Sequence, residues 1–183
     1  VVAKSPTFFT MMLGFNDVLN FALKGAASES ITPVNGAIGV GFDASINNII
    51  TKLTSNNAKG AIANIPSIKS LPYFNTITFD ALKLSDTTAK SLTSFYALLN
   101  PTIPFHEGNN GFVIEDASMP LGYRQSVDGE LILLNIPLDS VKCNKWGSLV
   151  PIPNRFVLTL TEIELIENTI SSYNAILKNY ATS

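Results

Sequence analysis

The sequence predicts an α/β fold built around a parallel sheet, and three observations support this prediction. Residues 8–13 and 61–65 are short apolar runs with the length and composition of strands buried on both faces. Between them, residues 43–56 repeat Ile and Leu at helical spacing, as an amphipathic helix does. A strand, a helix and a second strand in this order predict a right-handed crossover and a parallel pair.

The turns around these elements carry helix signals. Gly14 closes the first apolar run, and Asn16 and Asp17 are the predicted N-caps of a helix that ends at Gly25. Asp43 is the predicted cap of the next helix. This part of the chain is therefore predicted to form a strand, a tight turn and a helix before the crossover.

A third helix is predicted over residues 87–99, ahead of a stretch with a different texture. From residue 101 to residue 156, prolines and glycines separate short apolar runs, which predicts an irregular, partly β insertion. The side chains of the third helix predicted to face inward are Ala89, Leu92, Tyr96 and Leu99.

The final helix is predicted over residues 162–180. Thr161 and Glu164 have the spacing of a capping box at its start. Apolar side chains then recur every three or four residues, a stripe that would cover one face of a sheet. The stripe consists of Ile163, Ile166, Ile170, Tyr173, Leu177 and Tyr180.

Length and chain ends bear on domain organisation. A chain of 183 residues suffices for one domain with a sizeable core, so we expect a single domain over residues 1–183 with its insertion at about 101–156. The sequence does not begin with Met, reaches a predicted strand within a few residues and stops at the end of a long helix. We therefore expect a domain that is truncated on both sides.

Composition excludes several classes of function. The net charge is -2 and the twelve cationic residues are scattered, so no basic stripe is available for nucleic acid. Charged residues make up 14%, against roughly 25% in typical soluble domains, a pattern common in exported proteins. The single Cys143 excludes an internal disulfide and a multi-cysteine metal site. No apolar run reaches the roughly 18 to 20 residues of a membrane span, and no signal-peptide pattern occurs in the printed sequence.

The turn from Gly14 to Asp17 is the candidate site. In a parallel α/β sheet, ligands bind beyond the carboxyl ends of the strands, where this turn is predicted to lie. Gly14 allows close approach of the backbone, and Asn16 can aim a side-chain N–H at a developing oxyanion. Such a donor contributes about 3 kcal/mol in a transition state. The alternative is that these residues form only a turn and a helix cap.

Several segments resemble a known enzyme family. Residues 6–19, in which an apolar run leads into Gly14-Phe15-Asn16-Asp17, resemble the third sequence block of the SGNH (GDSL-like) hydrolases, most of all the exported members from Bacteroidetes-type bacteria. The resemblance extends over nearly the whole chain. The further segments similar to that group are residues 58–66, 71–74, 105–116 and 129–137, and the final helix with Tyr173-Asn174.

The resemblance implies a fold, an activity and a site. The fold is a three-layer, flavodoxin-like sandwich, and the activity is hydrolysis of carboxylic esters, of lipids or of acylated carbohydrates, by a Ser, a His and an Asp without a cofactor. The family's block asparagine corresponds to Asn16, which would line the oxyanion hole, with Gly14 and Asp17 as its structural frame. Phe15 and Asn64 are the candidate pocket-lining residues.

Two patterns of that family do not occur in this sequence. Gly-Asp-Ser and Asp-x-x-His are both absent, so the printed chain supplies neither nucleophile nor base. The order of the family's blocks places both beyond the ends of this chain. Ser148 follows Gly147 but lacks the Gly-x-Ser-x-Gly pattern of a nucleophile elbow. We therefore expect the 183 residues alone to be inactive.

His106, the one histidine, is predicted to lie in a surface loop because residue 103 is Ile and not Asp. A metal site with Glu107, Glu115 and Asp116 is the alternative, but one His with loop carboxylates is a poor ligand set, and no metal is expected.

Two functions from different classes follow. The first is a fragment of an exported esterase, periplasmic or on the cell surface as a lipoprotein, that takes a small-molecule or lipid ester. The second is a non-catalytic exported binding module, with residues 101–156 as its interaction surface. An upstream Gly-Asp-Ser and a downstream Asp-x-x-His in the same reading frame would favour the esterase.

Overall fold

The computed structural model describes residues 6–27, 30–99 and 103–182. It divides into two compact units. The first unit comprises the described residues of Val1–Ala22, Ser28–Ile68 and Glu164–Ser183, and the second those of Leu23–Ala27 and Lys69–Ile163. Helices and short strands alternate along the chain, with one parallel and three antiparallel strand pairs among the described residues.

The helices and strands have the following bounds. The helices are α1 (Phe15–Leu23), α2 (Phe42–Thr54), α3 (Pro72–Asn75), α4 (Asp86–Leu99), α5 (Leu138–Lys142) and α6 (Leu160–Thr182). The strands are β1 (Phe8–Met11), β2 (Lys59–Ile62), β3 (Leu82–Leu84), β4 (Gly108–Asn110), β5 (Val113–Glu115), β6 (Tyr123–Gln125), β7 (Leu131–Ile132) and β8 (Val157–Leu158).

In the first unit, β1 and β2 form the predicted parallel pair. Phe8 is opposite Lys59 and Met11 is opposite Ile62, and α2 lies between the two strands in sequence. The crossover helix predicted over 43–56 and the final helix predicted over 162–180 are both confirmed. The predicted parallel pair is also confirmed. It could be predicted because hydrophobic periodicity and element order can be read directly from the sequence.

The predicted burial of these strands on both faces is wrong. In β1 only Met11 is buried, and Phe8 and the adjacent Met12 are each 60% exposed. Most of β2 is exposed as well, although Ile65 beyond its end is buried. Within the described residues this sheet has two strands, which is too narrow to bury both faces of β1.

The buried part of the first unit lies between helices. Two rings make its closest aromatic contact: Phe42 at the start of α2 and Tyr173 of α6 stack with centroids 3.8 Å apart and planes 8° apart. The stripe predicted for the final helix is buried along most of its length. The other buried side chains of this unit include Val18, Phe21, Ala22, Ile46, Ile166, Ile170 and Leu177.

Helix starts differ from the predicted caps. The first helix begins at Phe15, so Asn16 and Asp17 lie in its first turn and do not precede it. The N-cap of α2 is Gly41, without a side-chain cap, and Asp43 instead accepts a 2.9 Å hydrogen bond from the Tyr180 hydroxyl. Both predictions failed because each helix starts one residue or more before the polar side chain that was expected to cap it.

The capping box of α6 is shifted in the same direction. The helix begins at Leu160, and Thr159 and Glu162 form the box where Thr161 and Glu164 were predicted. The Glu162 carboxylate accepts the Thr159 backbone N–H at 2.8 Å, and the Glu162 N–H donates to the Thr159 hydroxyl oxygen at 3.4 Å. Two overlapping pairs with the same spacing occur in this sequence, and only the structure distinguishes them.

The second unit consists of α3 to α5 and three antiparallel pairs, β3 with β4, β5 with β6 and β7 with β8. Four of these strands lie within residues 101–156, so the partly β character predicted for that stretch is confirmed. The structural unit is wider than the predicted insertion, because β3 and β8 pair with strands inside it.

Among the described residues, two apolar clusters lie in the core of the second unit. The first packs one face of α4, with Ala89, Leu92 and Tyr96 buried as predicted, whereas Leu99 is half exposed at the end of the helix, so its predicted inward orientation is wrong. The second cluster contains Phe112, Ile114, Ile132, Ile136, Ile152 and Val157.

Candidate functional site

The candidate turn lies directly beyond the carboxyl end of β1. The strand ends at Met11, Gly14 has a φ of +95°, and α1 begins at the next residue. A Cβ on Gly14 would lie 2.6 Å from a ring carbon of Phe42 and 2.7 Å from Ile65 Cδ1. Glycine is therefore required here both by its backbone conformation and by the side chains packed against it.

A cavity of about 240 Å³ opens at this turn. Two of the predicted site residues, Gly14 and Asp17, line it. Phe15 is half-buried and Asn16 is exposed, and neither belongs to the lining. The predicted role of Asn16 as an oxyanion donor stays a prediction. The apolar lining residues are Leu13, Val40, Phe42, Ile46 and Ile49.

A chain of hydrogen bonds fixes the polar side of the cavity. The Thr32 hydroxyl donates to Asp17 Oδ1 at 2.6 Å, and the Tyr173 hydroxyl donates to the Thr32 carbonyl oxygen. Ser45 Oγ accepts the Gly39 N–H at 2.9 Å and donates to a backbone carbonyl at 2.7 Å. The segment around Thr32 is thus tied both to the first turn of α1 and to α6.

Burial raises the pKa of Tyr173 to about 12, and the negative charge of Asp17 acts in the same direction. The phenol is therefore protonated at neutral pH and acts as a hydrogen-bond donor. A protonated Tyr173 is what the bond to the Thr32 carbonyl requires.

Asn64, the other predicted pocket residue, lines a different cavity. That cavity has a volume of about 490 Å³ and includes Asn174 and Lys178 of α6. The Asn174 side chain holds the backbone beyond β2, because it accepts the Ile65 N–H at 2.7 Å and donates to the Ile65 carbonyl at 2.9 Å. The structure therefore brings Gly14 and Asp17 together in one cavity and places Asn64 in another.

His106 is exposed in the second unit, as expected for a surface loop. Its backbone N–H donates to Asn110 Oδ1 at 3.0 Å. Across the described ranges, no group of three or more His, Cys, Asp or Glu side chains is placed to hold a metal ion.

Asp116, one of the three carboxylates considered for a metal, belongs to a cluster of charges centred on Arg124. Arg124 Nε donates to Asp116 Oδ2 at 2.6 Å, and its terminal nitrogens donate to the two oxygens of Glu130 at 2.9 and 2.6 Å. A hydrogen bond from Ser118 and the Arg124 guanidinium hold the pKa of Asp116 below its ordinary value. The bonds to Glu130 and Asp116 raise the pKa of Arg124. We expect this cluster to stabilise the second unit. Asp116 is paired with Arg124 within it.

Sequence reasoning missed Thr32, Ser45 and Tyr173 as members of the site. Tyr173 did carry a signal, since it is one of two tyrosines in a mostly aliphatic stripe and its hydroxyl needs a partner when buried. Thr32 and Ser45 carried none, because one lies in an irregular loop and the other within a helix whose other features predict only packing.

Comparison of the chain with protein-family models, curated proteins and solved structures gives no match. Among the described residues, no helix has both the length and the apolar character to cross a membrane.

Proposed function

We propose that this chain forms the oxyanion-binding part of a serine ester hydrolase of the SGNH type, with the three-layer, flavodoxin-like fold of that family. One observation carries the proposal. A parallel strand pair has its first strand leading into Gly14-Phe15-Asn16-Asp17, and a cavity opens at that turn. Ligands of parallel sheets bind beyond the carboxyl ends of the strands.

In the proposed reaction, a serine oxygen attacks the ester carbonyl carbon and the carbonyl oxygen becomes an oxyanion. The amide N–H of Asn16 donates to that oxyanion, and its exposure at the first turn of α1 leaves it accessible to a ligand. The oxyanion collapses and expels the alcohol, which takes the proton that a histidine base removed from the serine. Water then releases the acid from the acyl-enzyme by the same steps.

The frame of Asn16 is supplied by its neighbours in sequence. Gly14 lets the turn pack against Phe42 and Ile65, and Asp17 binds Thr32. These contacts fix the start of α1 on both sides of Asn16, as an oxyanion donor requires if it is to be positioned before the reaction begins.

The nucleophile and the base come from outside these residues in this proposal. Neither Gly-Asp-Ser nor Asp-x-x-His occurs in the sequence. Ser45, the serine of the cavity, is engaged by backbone groups on both its donor and its acceptor side. The proposal therefore concerns the polypeptide read from the whole gene, and it expects the printed chain alone to be inactive.

The test is hydrolysis of p-nitrophenyl acetate by the polypeptide read from the whole gene. Asn16→Ala should lower kcat by roughly 10²-fold or more, the effect of losing one oxyanion donor. Asn20→Ala is the matched control, because Asn20 is exposed on the same helix and its loss should leave kcat unchanged. Asp17→Ala should reduce stability more than kcat, because Asp17 holds Thr32.

Full activity of a folded Asn16→Ala variant would contradict the role of this residue. Absence of ester hydrolysis in the wild-type polypeptide would contradict the hydrolase itself and favour the non-catalytic exported binding module.

A further inference from the structure

Residues 36–41 of the first unit form a loop directly ahead of α2. The two ends of the loop are in contact, because a Cβ on Gly36 would lie 2.9 Å from the Gly41 nitrogen and a Cβ on Gly41 would overlap the Gly36 nitrogen. Only glycine allows two backbone segments to approach so closely. Below this neck, the Phe42 N–H donates to the Pro33 carbonyl oxygen at 2.9 Å. The loop is therefore closed at its neck and held at its base, as an Ω-loop is.

The tip of this loop, residues 37–40, presents apolar side chains to solvent. Ile38 is 63% exposed and Val40 is 60% exposed, and a Cβ on Gly39 would meet no atom within 4 Å. No charged side chain occurs from residue 30 to residue 42. Two large aliphatic side chains exposed within three residues, without a charge near them in sequence, form an apolar surface available for contact. We refer to residues 37–40 as the apolar tip.

The backbone of the apolar tip is hydrogen-bonded within the protein. The Val40 and Gly41 N–H groups both donate to the Ala37 carbonyl oxygen, at 2.9 and 2.8 Å. The Gly39 N–H donates to Ser45 Oγ at 2.9 Å. Because the interior of a lipid layer offers no partner to a backbone N–H, a loop enters it only where such groups are bonded internally. Three consecutive N–H groups at this tip meet that requirement.

We infer that the apolar tip inserts into the surface of an electrically neutral lipid bilayer. The tip lacks the aromatic and arginine side chains that anchor most protein interfaces. It also lacks basic side chains, so anionic headgroups would give it no added attraction. Two aliphatic side chains supply a shallow and reversible attachment. Attachment of the tip requires no ester hydrolysis, so it is independent of the proposed activity.

The experiment measures sedimentation of the polypeptide read from the whole gene with vesicles of ether-linked phosphatidylcholine, a neutral lipid that contains no carboxylic ester. Ile38→Ser should lower the partition coefficient by roughly 10-fold, as expected when one aliphatic side chain no longer enters lipid. Ile38→Leu should retain binding. Leu165→Ser is the matched control, because Leu165 is 51% exposed on α6 of the same unit, and it should bind as the wild type does.

The lipid composition provides a second test. Adding an anionic lipid to the vesicles should not strengthen binding of the wild type, because the tip carries no basic side chain. Binding that requires anionic lipid, or equal binding of the wild type and a folded Ile38→Ser variant, would overturn the inference. Self-association that Ile38→Ser abolishes, without binding to vesicles, would assign the tip to a contact between copies of the chain and would also overturn it.

A spin-labelled lipid locates the contact within the chain. In neutral bicelles that contain this lipid, the NMR methyl signals of Ile38 and Val40 should broaden, and those of Leu165 should keep their width. Broadening at the exposed methyl of Met12 without broadening at the tip would place the lipid contact beside β1 and overturn the inference. Broadening at the tip in a polypeptide that hydrolyses no ester would support lipid attachment while contradicting the hydrolase.

Discussion

The two units differ in how they accommodate a buried charge and apolar side chains. The second unit buries Glu130 at 3% exposed and gives it Arg124 and the Val127 N–H as partners. The first unit has a parallel strand pair whose leading strand exposes Phe8 to solvent and is followed directly by the exposed Met12. One unit thus pairs a buried carboxylate, whereas the other exposes apolar side chains along a strand.

This difference shows where binding chemistry is to be expected. A buried carboxylate is tolerated only when it is paired and hydrogen-bonded, so the Arg124 cluster is explained by structure alone. Apolar strand surface and the cavity at the end of β1 are not explained in that way. We therefore expect a ligand to bind at the candidate turn of the first unit, and four predictions test the contrast.

The largest expected effect concerns the charge cluster of the second unit. Glu130→Ala should lower the free energy of unfolding by about 4 kcal/mol, because it removes one partner of a buried ion pair and leaves the Val127 N–H without its acceptor. Urea unfolding followed by the fluorescence of Trp146, the one tryptophan, reports on this unit. Glu107→Ala, an exposed glutamate of the same unit, should change stability by less than about 0.5 kcal/mol. Equal effects of the two variants would mean that the cluster does not brace the unit.

The second effect tests whether the candidate turn is constrained by packing. Gly14→Ala should cost about 3 kcal/mol, since the new Cβ meets Phe42 and Ile65 and the backbone has a positive φ. Gly39→Ala shares the positive φ but has no atom within 4 Å of its Cβ, so it should cost about 1 kcal/mol. Urea unfolding followed by far-UV circular dichroism measures both. A Gly14 variant no less stable than the Gly39 variant would remove the packing argument.

Periodic features of the fold were predictable from sequence, and edges and caps were not. The parallel pair, α2 and α6 follow from apolar spacing and element order, which can be read from short stretches of the sequence. Burial of β1 was predicted wrongly because exposure depends on how many strands adjoin it, which its own residues do not encode. The capping box of α6 was displaced because two Thr/Glu pairs near its start have the same spacing, and α2 has Gly41 as its N-cap, without a side-chain cap.

The candidate site was predictable only in part. Gly14 and Asp17 could be found because they follow an apolar run in sequence. The contacts of Thr32 with Asp17 and Tyr173 join residues 15 and 141 positions apart, and no spacing rule connects such residues. Asn64 was a candidate for the same pocket on the family resemblance, and it lines a separate cavity beyond β2.

The third effect tests the hydrogen-bond chain of the first unit. Tyr173→Phe should lower the free energy of unfolding by about 1 kcal/mol at neutral pH, because the Thr32 carbonyl loses its donor. The pKa of Tyr173 is raised from 10.0 to about 12, so the wild type keeps this contribution below pH 10 and loses it as pH rises toward 12. Hydrogen exchange at the amides of α6, measured from pH 8 to 11 and corrected for intrinsic exchange rates, should show a smaller alkaline loss in the variant.

Tyr96 of the second unit supplies the comparison. Burial raises its pKa to about 12 as well, and its hydroxyl donates to the Ser148 carbonyl at 2.6 Å. Alkaline loss of stability reported by Trp146 should therefore persist in Tyr173→Phe. An alkaline profile of α6 identical in wild type and variant would show that Tyr173 is not the titrating group.

The smallest expected effect on stability tests the exposed strand surface directly. Met12→Lys should change the free energy of unfolding by less than about 0.5 kcal/mol, because the side chain is 60% exposed. The same change should reduce the fluorescence of a bound hydrophobic dye and the tendency of the chain to associate, because a charge at a strand edge opposes both. Leu165→Lys, at a side chain 51% exposed on α6, is the matched control and should leave both signals nearly unchanged. If the unaltered chain is a monodisperse monomer that binds no dye, the strand surface is not available to partners, and the contrast between the two units does not extend to binding.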